Sequence, residues 1–230
     1  MSQRPRLPPP PSYEDTLAIE KIPGKDYGIL AKRALRRGEI FFCERPIVRV
    51  THGKGPSERH QIKWIGEDET LAKWKLLTLA KNAAPKNVFQ PRFANAASSD
   101  LAAVLNTNAF VGEEVEGARH SLTFLTVSRI NHSCAPNCEL IVSLEPSELG
   151  CVKALRDIAM GEELSLDYGA SGSRAERQRH LRECFAFDCT CERCSRELAI
   201  ERQASRHMQL HQHPRPAAQQ ARGGSARRHR

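Results

Sequence analysis

Short runs of β-branched and aromatic residues, separated by turn-forming glycines, mark the first fifty residues of the chain. The runs are L-A-I-E from Leu17, Y-G-I-L-A from Tyr27, and I-F-F-C-E-R-P-I-V-R-V from Ile40, and Gly24 and Gly38 lie between them. Runs of this length and composition, bounded by turn residues, are typical of β-strands. The pattern therefore predicts two or three strands joined by tight turns.

The spacing of apolar residues changes after the T-H-G-K-G-P segment that begins at Thr51. Between residues 57 and 81 the apolar positions recur mostly every three or four residues, which favours helix; they are Ile62, Ile65, Leu71, Trp74, Leu77 and Leu79. We predict two short helices there, split near Gly66. The S-S-D sequence at 98–100 is a typical N-cap and predicts a further helix over L-A-A-V-L-N.

Strand-like runs return between Ser121 and Asp167, and R-A-E-R-Q-R-H-L-R-E after them predicts a short helix. The predicted fold class is mainly β with short helices, that is α+β. We divide the chain into a Pro-rich, disordered N-terminus (1–16), a folded domain (17–170) with a helical insert at about 51–97, a cysteine-containing segment (171–198), and a basic, disordered tail (199–230).

The net charge of +8 suggests a nucleic-acid partner until its distribution is considered. Residues 1–11 carry +2 and residues 201–230 carry +6, so residues 12–200 sum to zero. Any nucleic-acid contact is therefore expected only through the basic tail. Deleting that tail should remove binding and its steep salt dependence.

Composition also restricts the environment of the protein. Hydrophobic residues make up 40% of the chain and charged residues 27%, which argues against wholesale disorder and against a membrane span. The N-terminal M-S-Q-R-P-R-L-P-P-P-P lacks the apolar stretch of a secretory signal. We expect a reducing compartment, the nucleus and/or the cytoplasm, in which eight cysteines serve as metal ligands or buried thiols.

The densest chemical signal is the C-x-C-x-x-C formed by Cys189, Cys191 and Cys194. Three thiolates within six residues can bind one Zn²⁺, which takes four ligands in tetrahedral geometry. Spacing alone leaves two candidates for the fourth ligand, Cys184 and Cys134. The remaining cysteines, which lie in strand-like apolar runs, are predicted to be buried thiols; they are Cys43, Cys138 and Cys151.

Three further motifs are ambiguous when each is considered separately. They are K-D-Y-G-I-L-A at 25–31, R-I-N-H-S-C-A-P-N at 129–137 and G-E-E-L-S-L-D-Y-G at 161–169. Each contains turn-forming residues beside a strand-like run, so each is compatible with an ordinary polar turn. Their occurrence in one order, followed by C-x-C-x-x-C, is far more specific than any one of them.

With these motifs in order from about Ile19 to Cys194, the chain resembles the SET-domain protein lysine methyltransferases. The N-T-N-A-F at 106–110 and the F-A-F-D-C before the cysteine motif extend the resemblance. The layout is most similar to the SET-and-MYND type and its fungal-style relatives. The insert from Thr51 to Asn95 contains no cysteine, so it cannot hold the zinc-binding MYND finger, and Asp26 replaces the first glycine of the family's G-x-G.

The resemblance implies a SET fold of small curved sheets, a knot-like crossing and a zinc-binding post-SET loop. It implies transfer of methyl from S-adenosylmethionine to a lysine ε-amine of a histone or non-histone protein, with Tyr168 as the active-site tyrosine. The implied cofactor-binding residues are Tyr27, Gly28, Asn108, Asn131, His132 (through its backbone) and Phe187. The implied zinc ligands are Cys134, Cys189, Cys191 and Cys194, with Cys184 in reserve.

A second hypothesis is a catalytically weak, SET-like interaction module. It is motivated by Asp26 and by the missing MYND finger. Binding of S-adenosylmethionine discriminates the two hypotheses, because only the enzyme requires it. In either case we expect a monomer with a protein partner and no membrane association.

Overall fold

The computed structural model describes residues 13–52, 61–66, 68–79, 101, 103–105, 107–112, 114, 117–144 and 148–212. Their strands are β1 (Leu17–Lys21), β2 (Tyr27–Ala31), β3 (Ile40–Glu44), β4 (Val48–Thr51), β5 (Gln61–Trp64), β6 (Ala109–Val111), β7 (His120–Thr123), β8 (Asn131–His132), β9 (Cys138–Ser143), β10 (Leu149–Ala154) and β11 (Ser165–Leu166). Their helices are α1 (Tyr13–Thr16), α2 (Glu69–Leu76), α3 at the described positions within 101–108, α4 (Arg174–Phe185) and α5 (Glu192–Gln212), with a 3₁₀ turn at Val127–Arg129.

The strands form four small sheets, three of them antiparallel. Their orders are β1-β2, β3-β10-β9 and β5-β4-β7-β6, and the fourth sheet is the parallel pair β11-β8. One core takes residues from all four sheets and lies around fully buried Ile29, Phe41, Leu122 and Leu164. The prediction of a mainly β fold with short helices is confirmed.

The parallel pair forms the crossing that positions the site. Residues 161–166 bond to β2 on one side, where the Ala31 amide donates to the Glu162 carbonyl (3.0 Å) and the Leu164 amide to the Ile29 carbonyl (2.8 Å). On the other side Leu166 lies beside His132, and its carbonyl accepts from the Ser133 amide at 3.0 Å. The two central motifs are thereby held side by side.

Asn137 fixes this crossing from within. Its buried side chain accepts from the Ser165 amide (2.7 Å) and donates to the Glu163 carbonyl (2.8 Å) and to the Glu162 carboxylate (2.9 Å). These hydrogen bonds fix the position of residues 162–165 relative to Asn137. Losing one of them would leave a buried polar group unpaired, which costs free energy of folding. The final asparagine of the N-H-S-C-A-P-N motif is therefore structural.

The insert contains a strand where we predicted the first of two helices. Residues Gln61–Trp64 alternate between exposed and half-buried positions and pair with β4, Ile62 opposite Val50. Pairing with an existing strand outweighs the weak helical spacing of so short a segment. The second predicted helix is confirmed as α2, and the helix over L-A-A-V-L-N as α3, which pack on β4 in a second core. The S-S-D cap lies outside the described residues.

The described structure extends into both of the segments that we predicted to be disordered, 1–16 and 199–230. Tyr13–Thr16 is one helical turn, held because the Thr16 carbonyl accepts from the Lys32 amide at 2.8 Å. At the other end a helix that we did not predict, α5, runs through the first part of the predicted tail to Gln212. The Arg174 guanidinium anchors α5 to α4 through three hydrogen bonds to the Glu201 carboxylate.

Cys43 and Cys151 form a disulfide and are not the buried thiols that we predicted. They lie directly opposite each other in the β3–β10 register, with their Cα atoms 4.1 Å apart. Non-hydrogen-bonded antiparallel pairs, with Cα atoms about 4.5 Å apart, are the closer of the two kinds, so the strand register brings these two side chains together. Cys138 is a buried thiol as predicted. No helix in the described part of the chain is both long and apolar enough to cross a membrane.

Candidate active site and metal centre

Two neighbouring clefts meet at the crossing of β8 and β11. The larger has a volume of about 610 Å³ and the smaller about 420 Å³. Four residues line both of them: Asp26, Asn131, Tyr168 and Phe187. The two central motifs and the post-SET segment therefore share one site, as their order along the chain predicts.

Most of the predicted cofactor residues lie on the wall of the larger cleft. Tyr27 and Phe187 provide aromatic faces, and Asn108 and Asn131 provide amides. A volume of this size, with apolar walls and a few convergent polar groups, is typical of a site for a small organic ligand. The residues present thus fit a molecule with a flat purine and a polar amino-acid end.

Asn131 is held in place by a charged network. Its Nδ2 atom donates to the Glu163 carboxylate at 2.9 Å and to the Tyr27 carbonyl at 3.2 Å. Lys25 donates to both oxygens of the same carboxylate at 2.7 and 2.8 Å. Lys25 and Glu163 were not predicted as site residues, although both belong to motifs quoted above.

Gly28 has a different position from the other predicted cofactor residues. It is buried, and it is not among the described residues that line either cleft. A Cβ atom at this position would meet Asn131 Nδ2 at 2.6 Å and Ile22 Cγ1 at 2.7 Å. The glycine therefore provides room for the side chain of Asn131.

His132 faces the cysteines that we predicted as zinc ligands. Its Nδ1 atom accepts from the Tyr168 amide at 3.1 Å, and its Nε2 atom lies 3.2 Å from Cys134 Sγ. Burial lowers the pKa of His132 to about 4, so the ring is neutral at physiological pH. The ring links the tyrosine motif to the cysteine cluster, and only the smaller cleft has His132 on its wall.

Tyr168 lies at the junction of the two clefts. Its phenol donates to the Ile130 carbonyl at 2.7 Å, and its ring packs on Phe185 with centroids 4.8 Å apart. Burial raises the pKa of the Tyr168 phenol above its usual value, so it is neutral at physiological pH. A phenol whose hydrogen is already donated presents its remaining lone pair as an acceptor. The group can orient and stabilise a reacting centre, but it is not a preformed base.

The four predicted zinc ligands converge. The sulfur atoms of Cys134, Cys189, Cys191 and Cys194 all lie within 4.8 Å of one another, and those of Cys134 and Cys194 are 3.5 Å apart. Tetrahedral Zn–S bonds of about 2.3 Å place neighbouring sulfurs about 3.8 Å apart, so the spacing fits zinc. Cys184 lies elsewhere, with its sulfur 3.8 Å from His180 Nδ1.

The cysteines of the cluster differ in the pKa of their thiols. Burial raises the pKa of Cys189 to about 11 and that of Cys134 further. Burial also acts to raise the pKa of Cys191, but backbone hydrogen bonds from Cys194 and Cys134 bring it down to about 7. Metal binding would release the protons of such thiols, and the cation would offset the repulsion between the thiolates, so the donor set fits a metal that takes four sulfur ligands.

The neighbouring helix α4 holds the cysteine loop. The buried side-chain amide of Gln178 donates to the Cys189 carbonyl at 2.7 Å and accepts from the Cys189 amide at 2.8 Å. This pair of hydrogen bonds fixes the backbone of a candidate metal ligand. The motif R-A-E-R-Q-R-H-L gave no signal for this role, because it has the pattern of a solvated, charged helix.

Comparison with known proteins agrees with this geometry. A histone-lysine N-methyltransferase set5 from Schizosaccharomyces pombe is 29% identical over 188 residues, covering 81% of this chain and 53% of that protein. The human histone-lysine N-methyltransferase SMYD3 is 40% identical over 70 residues, 30% of this chain and 16% of that protein. The chain thus spans about half the length of the fission-yeast relative. The SET-domain profile matches residues 26–169, more than half of the chain, and the protein therefore belongs to the SET-domain family.

Proposed function

We propose that this chain is an S-adenosylmethionine-dependent protein-lysine N-methyltransferase. The observation that carries the proposal is the position of Tyr168, on the shared wall of two clefts that also contain Asn131 and Phe187. The names of its relatives, histone-lysine N-methyltransferases from fission yeast and human, support the same activity. They also support a protein substrate that presents a lysine, from a histone or another protein, and a nuclear location.

Tyr27, Asn108, Asn131 and Phe187 would hold the cofactor, with the backbone of His132. When bound, S-adenosylmethionine supplies an electrophilic methyl group on a positively charged sulfonium. The Lys25–Glu163 pair keeps the Asn131 amide fixed. Preorganised polar groups of this kind lower a barrier because they do not need to reorient during the reaction.

The attacking ε-amine of lysine must be neutral, and its reference pKa is about 10.4. Burial beside the aromatic rings of Tyr168 and Phe185 disfavours the ammonium form and lowers that pKa. Because the phenol of Tyr168 is itself neutral, it acts by alignment and by accepting polar contacts at the reacting centre. Positioning therefore supplies much of the rate.

We propose that Cys134, Cys189, Cys191 and Cys194 bind one structural zinc ion. The zinc would clamp the post-SET loop, which contributes Phe187 and Cys189 to the cleft walls. Zinc binding and cofactor binding are then coupled, because the same loop serves both.

Transfer of labelled methyl from S-adenosylmethionine to histones, ribosomal proteins and whole-cell lysate tests the activity. We expect Tyr168→Phe to lose about a hundredfold or more in rate, the scale of removing one preorganised polar group. Tyr27→Phe removes a hydroxyl from the same cleft and should lose less. If wild type and Tyr168→Phe are equally inert on every substrate although both bind the cofactor, the enzymatic proposal is wrong.

Asp26 favours the alternative of a catalytically weak interaction module. It places a carboxylate at both clefts, where the family pattern has glycine. Calorimetry decides between the two, since a module without catalytic function need not bind S-adenosylmethionine. Absence of any heat of binding in the zinc-loaded wild type would favour the module.

A further inference from the structure

A buried arginine lies against the cysteine cluster. Arg177, on α4, is 1% exposed, and its Nη2 atom lies 3.7 Å from Cys194 Sγ. The same guanidinium donates to the Gly172 carbonyl at 2.7 Å and pairs with the Glu197 carboxylate. Its Nε atom has no hydrogen-bond partner in the described part of the chain. Burying a permanently charged group in this way is costly unless a nearby negative charge compensates it.

Glu197 alone does not supply that compensation. Its carboxylate is shared with Arg193, whose Nε atom donates to it at 2.9 Å, so two guanidinium groups surround one carboxylate. The group of Arg177, Arg193 and Glu197 therefore carries a net charge of +1 beside the sulfur atoms. Arg193 also donates to the Cys134 carbonyl at 3.2 Å, which brings the group to a second ligand.

The charge of the metal site is of the opposite sign. One Zn²⁺ with four thiolates has a net charge of −2, and three of the four cysteines are buried. A buried anionic centre is stabilised by a fixed cation, and a guanidinium can donate to thiolate sulfur without losing its proton. The excess positive charge at α4 and α5 meets this requirement.

We propose that Arg177 is the counter-charge of the zinc tetrathiolate and raises its zinc affinity. This inference rests on the zinc centre proposed above. It assigns to Arg177 a role in the metal site, separate from Gln178, which fixes the backbone of Cys189 without adding charge. Outer-shell partners of metal ligands typically contribute 10- to 100-fold to affinity, which sets the expected size of the effect.

Competition for Zn²⁺ with a chromophoric chelator measures the affinity in the full chain. Arg177→Met, which removes the charge, should weaken zinc binding by about 10- to 100-fold. Arg177→Lys retains a charge and should stay within a few-fold of wild type. Arg174→Gln is the matched control, because Arg174 lies on the same helix and pairs with Glu201. The proposal is overturned if Arg177→Met binds zinc as wild type does, or if the lysine and methionine variants are equally weak.

Glu197→Gln provides a test that does not depend on Arg177 variants folding. Removing the shared carboxylate leaves more positive charge at the sulfurs, so zinc should bind as tightly as in wild type or more tightly. A loss of zinc affinity of tenfold or more would mean that Arg177, Arg193 and Glu197 act by holding the structure together and not by their charge, and it would overturn the proposal. The zinc content of the wild type separates failure of the proposed zinc centre from failure of the proposed role of Arg177. Wild type without one bound zinc refutes the zinc centre itself, whereas normal zinc content with unaffected variants refutes only the role of Arg177.

Discussion

Replacing Gly28 with alanine should damage the cofactor site as well as the fold. The added Cβ would lie 2.6 Å from Asn131 Nδ2, 2.7 Å from Ile22 Cγ1 and 3.2 Å from Glu163 Oε1. Gly28 lies within strand β2 and has no positive φ, so the whole effect comes from this crowding. The asparagine must move, and its bonds to Glu163 and to the Tyr27 carbonyl must lengthen or break.

The magnitude follows from two contributions. Overpacking of a filled site typically costs about 1–3 kcal/mol. Loss of the hydrogen bond between Asn131 and the Glu163 carboxylate adds about 1.5–3 kcal/mol if it breaks completely. Since partial relaxation will retain some of that bond, we expect the free energy of unfolding to fall by about 2–4 kcal/mol. Displacement of Asn131 should also weaken S-adenosylmethionine binding by about tenfold, the equivalent of one bond.

Gly150→Ala is the matched control. A Cβ at Gly150 would meet the ring of Phe124 at 2.6 and 2.7 Å, in the core rather than at a cleft. It should cost about 1–3 kcal/mol of stability and leave cofactor affinity within about twofold of wild type. Urea denaturation gives the stabilities, and calorimetry under conditions where both variants are folded gives the affinities. Equal affinities for Gly28→Ala and wild type would refute the reasoning, as would an equal loss in the Gly150 variant.

The remaining predictions concern the metal site and helix α4. Cys134→Ser should lose stoichiometric zinc in elemental analysis and Cys184→Ser should keep it; the opposite result would exchange the fourth ligand. Removing zinc with a chelator should lower the melting temperature and weaken cofactor binding together, and a loss of stability with unchanged binding would disprove the coupling. Ser173→Ala breaks the capping box of α4 and should cost about 1 kcal/mol in denaturant titrations. Hydrogen bonds from the Ser173 hydroxyl and amide lower the pKa of Glu176. The stability that ionised Glu176 contributes is therefore fully present above the ordinary glutamate pKa, and it is lost as pH falls through the lowered pKa. Glu176→Gln should flatten that part of the pH–stability curve.

The grouping of the candidate site residues was largely predictable because most of them lie in short continuous motifs. Asn131, Tyr168 and Phe187 each occur in a segment whose local sequence is distinctive, and the structure brings the three together at the clefts. The choice of the fourth proposed zinc ligand was different. Cys134 and Cys189 are separated by 55 residues, so spacing left the choice open and only the family resemblance selected Cys134.

Features that depend on register or on long-range contact escaped prediction. The Cys43–Cys151 pair requires the alignment of strands β3 and β10, whose cysteines are 108 residues apart in sequence. The strand at Gln61–Trp64 exists because β4 offers an edge, which no local pattern reveals. In both cases the deciding interaction is made with a distant segment, so the local spacing of apolar residues or cysteines does not predict it.

The net charge of the sequence likewise failed to predict a local feature of the fold. A zero net charge over residues 12–200 gave no reason to expect electrostatics in the folded body, yet Arg177 is fully buried beside four sulfur atoms. A sum over the sequence averages charges that the fold separates or concentrates. Arg174 and Arg177 lie three residues apart on helix α4, and both pair with glutamates of α5, Glu201 and Glu197, but only Arg177 is buried against the cysteines. Neutral composition is therefore compatible with a strongly charged local centre, and the proposed zinc tetrathiolate would supply the negative charge that compensates a buried arginine.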